Sequence, residues 1–227
     1  MSTDLALARL LQLASPTLPV GAYSYSQGLE AAVEAGLVHN AASAGAWIGD
    51  VLRYAVARLE APVWWRLHAA WSAGDLERVA HWNDIFRSTR ESAELRAETL
   101  QMGYSLQQLL LEIGEFDLPS LAQLRNFSDI TFPAAFTLAV VKWGIPARSA
   151  LIAYLWAWLE NQVMAALKSV PLGQTEGQRL LLALAALLPG IVDGACALGD
   201  EDLCNFAPGF AILCSRHETQ YSRLFRS

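Results

Sequence analysis

The sequence predicts an all-α fold: a single-domain helical bundle of roughly ten helices, joined by short connections that contain proline or glycine. Three observations carry this. Apolar residues recur at steps of three and four nearly everywhere, which is the period of one helix face, and no segment alternates convincingly with the two-residue period of a strand. Prolines and glycines cut the pattern into helix-length pieces. The chain of 227 residues is 54% apolar, with eight Trp, eight Phe and six Tyr, so it can bury a substantial core. No fixed-period repeat and no linker stands out, which supports one domain over residues 1–227.

The elements follow in order. A leucine-rich helical pattern over 5–13 stops at Ser15-Pro16, because Pro16 and Pro19 lock φ and lack N–H donors. Gly21 then permits a turn that a Cβ would obstruct, and Tyr23 and Tyr25 alternate with Ser24 and Ser26. This makes a rigid aromatic elbow before a new helix from Gln27. Residues 44–71 read as a long helix with Trp47, Val51, Tyr54 and Arg58 at helical steps, kinked or divided at Pro62. Asp75 N-caps a short helix to Phe86. Ser88-Thr-Arg-Glu91 resembles a capping box that opens a second long helix, with Leu95, Met102, Leu106, Leu109 and Leu110 on its apolar side. Residues 115–119 read as a turn. Pro133 starts a helix ending at Gly144, and Pro146 starts a long apolar helix to about Val170. Residues 171–173 break it, and helices follow over 175–188, 190–198 and from Gly209.

Charged residues make up only 17% of the chain, against about 25% in an average domain. The longest apolar run, 180–192, lies between Arg179 and Asp193, contains Pro189 and Gly190, and falls short of the roughly 20 residues that a membrane span needs. No signal-peptide pattern is visible at the start. These features predict a cytoplasmic protein, without membrane contact, whose apolar surface is partly covered by partner chains. A net charge of −6 and the lack of a basic stripe argue against nucleic acid. Cys196, Cys204 and Cys214 are odd in number without a CxxC spacing, and read as reduced, buried and inert thiols.

Catalytic signatures are missing: there is no phosphate loop, no dinucleotide fingerprint and no nucleophile elbow. His39, His68, His81 and His217 are scattered, so no metal site and no tightly bound cofactor is expected. Arg90, Glu91, Glu94, Arg96 and Glu98 form a charged band at one helix start, by default a solvated face and otherwise a docking surface. Asn161, Gln162 and Lys168 end a strongly apolar helix, where they either close the helix end or meet a partner. The tail over 215–227 interleaves Tyr221, Leu224 and Phe225, at helical steps, with Arg216, Arg223 and Arg226. Such a tail helix either packs on its own domain or inserts into a groove on another protein.

Four blocks in sequence resemble UreF-type urease accessory proteins: Ser15-Pro-Thr-Leu-Pro-Val-Gly-Ala-Tyr-Ser-Tyr-Ser-Gln-Gly-Leu-Glu30; residues 90–98 with 101–106; residues 154–161 with 168–174; and His217-Glu-Thr-Gln-Tyr-Ser-Arg-Leu-Phe-Arg-Ser227. The first and last are the specific ones. The resemblance implies a homodimeric, non-enzymatic scaffold bridging the UreD/UreH protein, which contacts apo-urease, and the GTPase UreG, with nickel only as transient cargo of the complex. An alternative implied by it is regulation of GTP hydrolysis by UreG. By the same resemblance His217, Glu218, Tyr221, Arg223, Leu224, Phe225 and Arg226 face UreD/UreH. Tyr23, Tyr25, Gln27, Glu30, Arg90, Glu94 and Lys168 are the candidates for the face toward UreG or the dimer partner.

Overall fold

The computed structural model describes residues 3–116, 118–125 and 127–227. Among these residues there are twelve α-helices and no strand. They are α1 (Thr3–Ala14), α2 (Leu29–Glu34), α3 (Ala41–Val51), α4 (Ala61–Ala73), α5 (Leu76–Ser88), α6 (Ala93–Glu112), α7 (Leu118–Arg125), α8 (Phe132–Lys142), α9 (Ala147–Ser169), α10 (Gln174–Ala185), α11 (Leu188–Ala197) and α12 (Pro208–His217). Most boundaries fall within a few residues of the predicted ones, since proline and caps set them. Pro133 lies in the first turn of α8, Pro146 caps α9, and the Asp75 carboxylate accepts the Arg78 N–H at 3.0 Å. The predicted turn at 115–119 instead leads into α7 from Leu118, and its Asp117 lies outside the described residues.

The core is built around α8, whose residues from Pro133 to Val140 are buried on every side. A helix apolar all round must be enclosed, and α4 and α6 enclose it. The long α9 runs alongside, packing on α1, α2, α4, α10 and α11. Trp64, Phe132, Phe136 and Tyr154 form a ring cluster where α4, α8 and α9 meet, with centroids 5.1–6.4 Å apart. Gly103 makes the contact between α6 and the segment entering α8 possible: a Cβ there would stand 2.0 Å from the Ile130 carbonyl oxygen.

Two predicted boundaries are corrected. Beside Pro62 the long helix changes from π to α register without leaving helical structure. The chain continues from α3 through a π-helical segment, Leu52–Glu60, into α4, with Pro62 in the first turn of α4. Pro62 offers no N–H to the carbonyl four residues back, and that Arg58 oxygen instead accepts the Cys204 N–H at 3.3 Å. The wider π register turns Leu52, Ala55, Val56, Leu59 and Glu60 inward, leaving Tyr54 and Arg58 exposed. The second correction concerns the capping box at Ser88. The Ser88 and Thr89 hydroxyls donate back to the Ile85 and Phe86 carbonyls and so close α5, while Ser92 caps α6 by accepting the Leu95 N–H.

Residues 174–197 are long and apolar enough to cross a membrane by length and composition, unlike the run 180–192 alone. They form α10 and α11, divided by a turn at Ala186–Leu187.

Candidate functional site

The elbow and the tail, at opposite ends of the sequence, form one site. The elbow leaves α1 at Ser15 and turns through Gly21, at φ +79°, into a short 3-10 turn, Ala22–Ser24. Gln27 has positive φ despite its side chain, and Gly28 follows at φ +75°. At Gly28 a Cβ would meet Cys214 Sγ at 2.8 Å, so α12 approaches α2 closely because position 28 is glycine. That approach delivers the residues after α12 onto the elbow.

Past α12 the chain is not helical, so the helical spacing of Tyr221, Leu224 and Phe225 does not describe its conformation. The backbone satisfies its donors and acceptors on the elbow instead. The Arg226 N–H donates to the Ser24 carbonyl at 2.8 Å. The N–H groups of Ser26 and Gln27 donate to the Ser227 oxygen at 2.6 and 3.0 Å, joined by the Ser26 hydroxyl. Glu30, buried in the first turn of α2, accepts the N–H of Leu224 at 2.7 Å and of Phe225 at 3.1 Å.

Three carboxylates lie under the tail. His217 is 0% exposed. Its Nε2 lies 3.2 Å from Glu30 and its Nδ1 2.6 Å from Glu94. Arg223 donates to the other Glu94 oxygen at 2.6 Å. Glu98, 6% exposed, accepts from Gln27 Nε2 at 2.6 Å and from the Ser227 hydroxyl at 2.8 Å. Burial pushes the Glu98 carboxyl up to about 7; the neighbouring Glu60 charge adds to this, while both hydrogen bonds and Arg90 oppose it. The expected solvated face at the start of α6 is thus corrected: Glu94 and Glu98 face inward because the tail covers them.

The remaining predicted residues divide clearly. Tyr25 is buried, its carbonyl accepting from Asn161 at 2.9 Å; burial and the Glu98 charge raise its phenol, opposed by a hydrogen bond with Arg226. Glu218 accepts the Ala93 N–H at 2.7 Å, which caps α6 from outside. Lys168 Nζ lies 5.5 Å from the centroid of the buried Phe225 ring. Tyr23 is exposed at the elbow surface, and Tyr221 and Leu224 are 104% and 72% exposed. Arg90 does not join the tail. It pairs with Glu60 at 3.2 Å and covers the Phe86 ring, at the floor of a cavity of about 290 Å³ behind the elbow. The Tyr154 hydroxyl donates to Glu60 at 2.6 Å in that floor. Gln162 is buried within α9 rather than offered at the helix end. The residues assigned to two different faces therefore largely meet: Tyr25, Gln27, Glu30, Glu94 and Lys168 are the tail's own receptor or its neighbours.

A family model described as UreF matches residues 38–185. The chain belongs to the UreF family. The matched span leaves out both the elbow and the tail, but full-length UreF relatives cover them. The urease accessory protein UreF of Azoarcus sp. (strain BH72) is 59% identical over 225 residues, covering 98% of this chain and 96% of its own length. That of Dechloromonas aromatica (strain RCB) is 53% identical, with full coverage of both. A bifunctional urease accessory protein UreEF of Bordetella bronchiseptica is 49% identical over 97% of this chain and 52% of its own length.

In this chain, sequence reasoning missed Ser26, Glu60 and Trp158 as members of the site, and placed Glu98 only within a charged band. Trp158 Nε1 donates to the Gln27 amide oxygen at 2.7 Å and so orients its amide toward Glu98. The available signal was Glu94 and Glu98 four residues apart on one face of α6. The thiols also differ from expectation, since Cys196 and Cys204 are exposed and only Cys214 is buried. Burial and the charges of Glu98 and Glu91 raise the Cys214 thiol far above its ordinary value. A maleimide should therefore label Cys196 and Cys204 in the native protein and Cys214 only after unfolding; three fast thiols would contradict this packing. Among the described residues no three His, Cys, Asp or Glu side chains are grouped to hold a metal ion. The nearest arrangement, Glu30–His217–Glu94, places its carboxylates on opposite ring nitrogens.

Proposed function

We propose that the chain is a non-enzymatic scaffold of urease maturation, working as a cytoplasmic homodimer that bridges UreD/UreH and the GTPase UreG while nickel is inserted into apo-urease. Nickel is then transient cargo of the assembly rather than a resident ligand. Membership of the UreF family supports this role, as does the pairing of UreE and UreF in the name of one relative. The observation that carries it is the clamped tail with outward side chains. The backbone at Leu224 and Phe225 is held by Glu30, yet Tyr221 and Leu224 remain exposed. A preordered tail presenting an aromatic and an aliphatic side chain loses little entropy on docking, and such residues anchor interfaces.

The test is co-purification with UreD/UreH and UreG, with masses measured in solution. Replacing both Tyr221 and Leu224 with Ala is expected to weaken UreD/UreH capture by about tenfold or more, roughly one hot-spot contact. The melting temperature should stay unchanged, since neither side chain is buried. Undiminished capture by this variant would remove the tail from the interface.

A further inference from the structure

Of the three carboxylates beneath the tail, two have cationic or imidazole partners and one does not. Glu30 and Glu94 face His217, and Glu94 also pairs with Arg223. Glu98 makes no ion pair among the described residues; its oxygens meet only the Gln27 amide and the Ser227 hydroxyl. Its charged surroundings come from every element packed on it. Glu60 in the π segment and Arg90 before α6 act in opposite directions, Tyr154 lies on α9, Tyr25 on the elbow and Cys214 on α12. Beyond them, Arg226 bonds Tyr25 and Lys168 lies over Phe225.

A buried carboxylate beside another carboxylate, without its own cation, favours the neutral form. The hydrogen-bonding geometry accepts either form, because the Ser227 hydroxyl can donate to a carboxylate or accept from a carboxylic acid. The tail closes one side of this site, where the buried Ser227 meets Glu98 through its hydroxyl; on its other side Glu98 lines the cavity of about 290 Å³ behind the elbow. Lifting residues 224–227 would uncover that side of Glu98 and remove one of its two hydrogen bonds.

We infer that residues 218–227 form a proton-coupled latch, docked over Glu98 while that side chain is protonated and released as its proton passes to water. The sign follows from linkage. The docked carboxyl titrates near 7, above its ordinary value of 4.5, so the docked state holds more protons than the free one. Docking is strongest below the free-tail value and weakens as pH rises through about 7, by at most tenfold per pH unit for a single proton. This property belongs to the isolated chain and is independent of the scaffold role.

The test is hydrogen exchange of the full-length protein between pH 5.5 and 8.5, corrected for intrinsic rates and read at the amides of Leu224, Phe225 and Arg226. Protection is expected to fall by up to about tenfold from pH 6 to 8 in the native chain and to stay flat in Glu98→Gln, whose amide is neutral throughout. A flat native profile, or an equal fall in Glu98→Gln, overturns the latch. Carbon-detected titration of the Glu98 carboxyl keeps the question decidable if that variant misfolds. A midpoint near 7 that drops when residues 221–227 are removed supports the coupling. A midpoint below about 5.5, or one indifferent to the truncation, overturns it.

Discussion

Gly103→Ala is expected to lower the melting temperature by about 6–12 °C, at roughly 2–4 °C per kcal/mol for a chain of this size. The new Cβ would stand 2.0 Å from the Ile130 carbonyl oxygen and 2.7 Å from the Thr131 carbonyl carbon, both backbone atoms that no rotamer change can move. The segment they belong to has no freedom to retreat. The Thr131 N–H donates to Asn83 on α5 at 2.8 Å, Asn83 donates back to the Asp129 carbonyl at 3.0 Å, and the Phe132 N–H donates to Thr99 on α6 at 3.2 Å. Either α6 separates from the segment or these bonds break, at about 3 kcal/mol or more. Gly190→Ala is the matched control. It lies in the first turn of α11 with nothing within 4 Å of the added methyl, so the substitution should be neutral or stabilising by up to about 1 kcal/mol. Thermal unfolding of the two variants side by side separates steric overlap from the general effect of replacing a helical glycine. Equal melting temperatures would mean that α6 and the 130–131 segment are not in this contact.

Much of this architecture was legible because proline, capping residues and glycine act locally. Pro133, Pro146 and Asp75 mark helix starts through interactions within one turn, and Gly21 takes the positive φ its place in the elbow demands. What the sequence hid depends on partners far along the chain. Glu94 and Glu98 look like a solvated face until residues 123–129 positions later cover them. Tyr221, Leu224 and Phe225 have helical spacing, but the backbone there finds better partners on residues 24–30 than in a further helical turn. Glu60 read as one more polar residue on a long helix. Only the π register, forced beside a proline with no N–H to give, turns it into the interior to meet Arg90 and Tyr154. The resemblance singled out these two segments and assigned them to different faces. Their mutual contact was beyond it, because adjacency in space is set by how α12 crosses α2 at Gly28.

Glu30 is where that contact should be most easily undone. Its two oxygens accept the N–H groups of Leu224 and Phe225 and face Nε2 of His217, so one side chain holds two backbone donors of the tail and meets the imidazole at the end of α12. Hydrogen bonds to a charged acceptor contribute about 1.5–3 kcal/mol each, but a tail that detaches recovers water for both backbone donors. The net effect of Glu30→Ala should therefore be smaller than the sum. It is expected to raise opening of the tail by about 100- to 1,000-fold, roughly 3–4 kcal/mol at 1.4 kcal/mol per tenfold. Hydrogen exchange at residues 224–226 and tryptic cleavage after Arg223 should both accelerate by that factor. The α9 helix and the ring cluster beneath it should keep their protection, since among the described residues neither makes a hydrogen bond or ion pair with Glu30. Glu30→Gln keeps one acceptor oxygen and should fall between, near tenfold. Unaltered exchange in Glu30→Ala would show that the backbone bonds from Ser24, Ser26 and Gln27 hold the tail without it. The same variant connects the clamp to the proposed scaffold role. If Tyr221 and Leu224 engage UreD/UreH from a preordered tail, freeing that tail makes the partner supply the ordering energy, and capture should weaken although neither contact residue has changed.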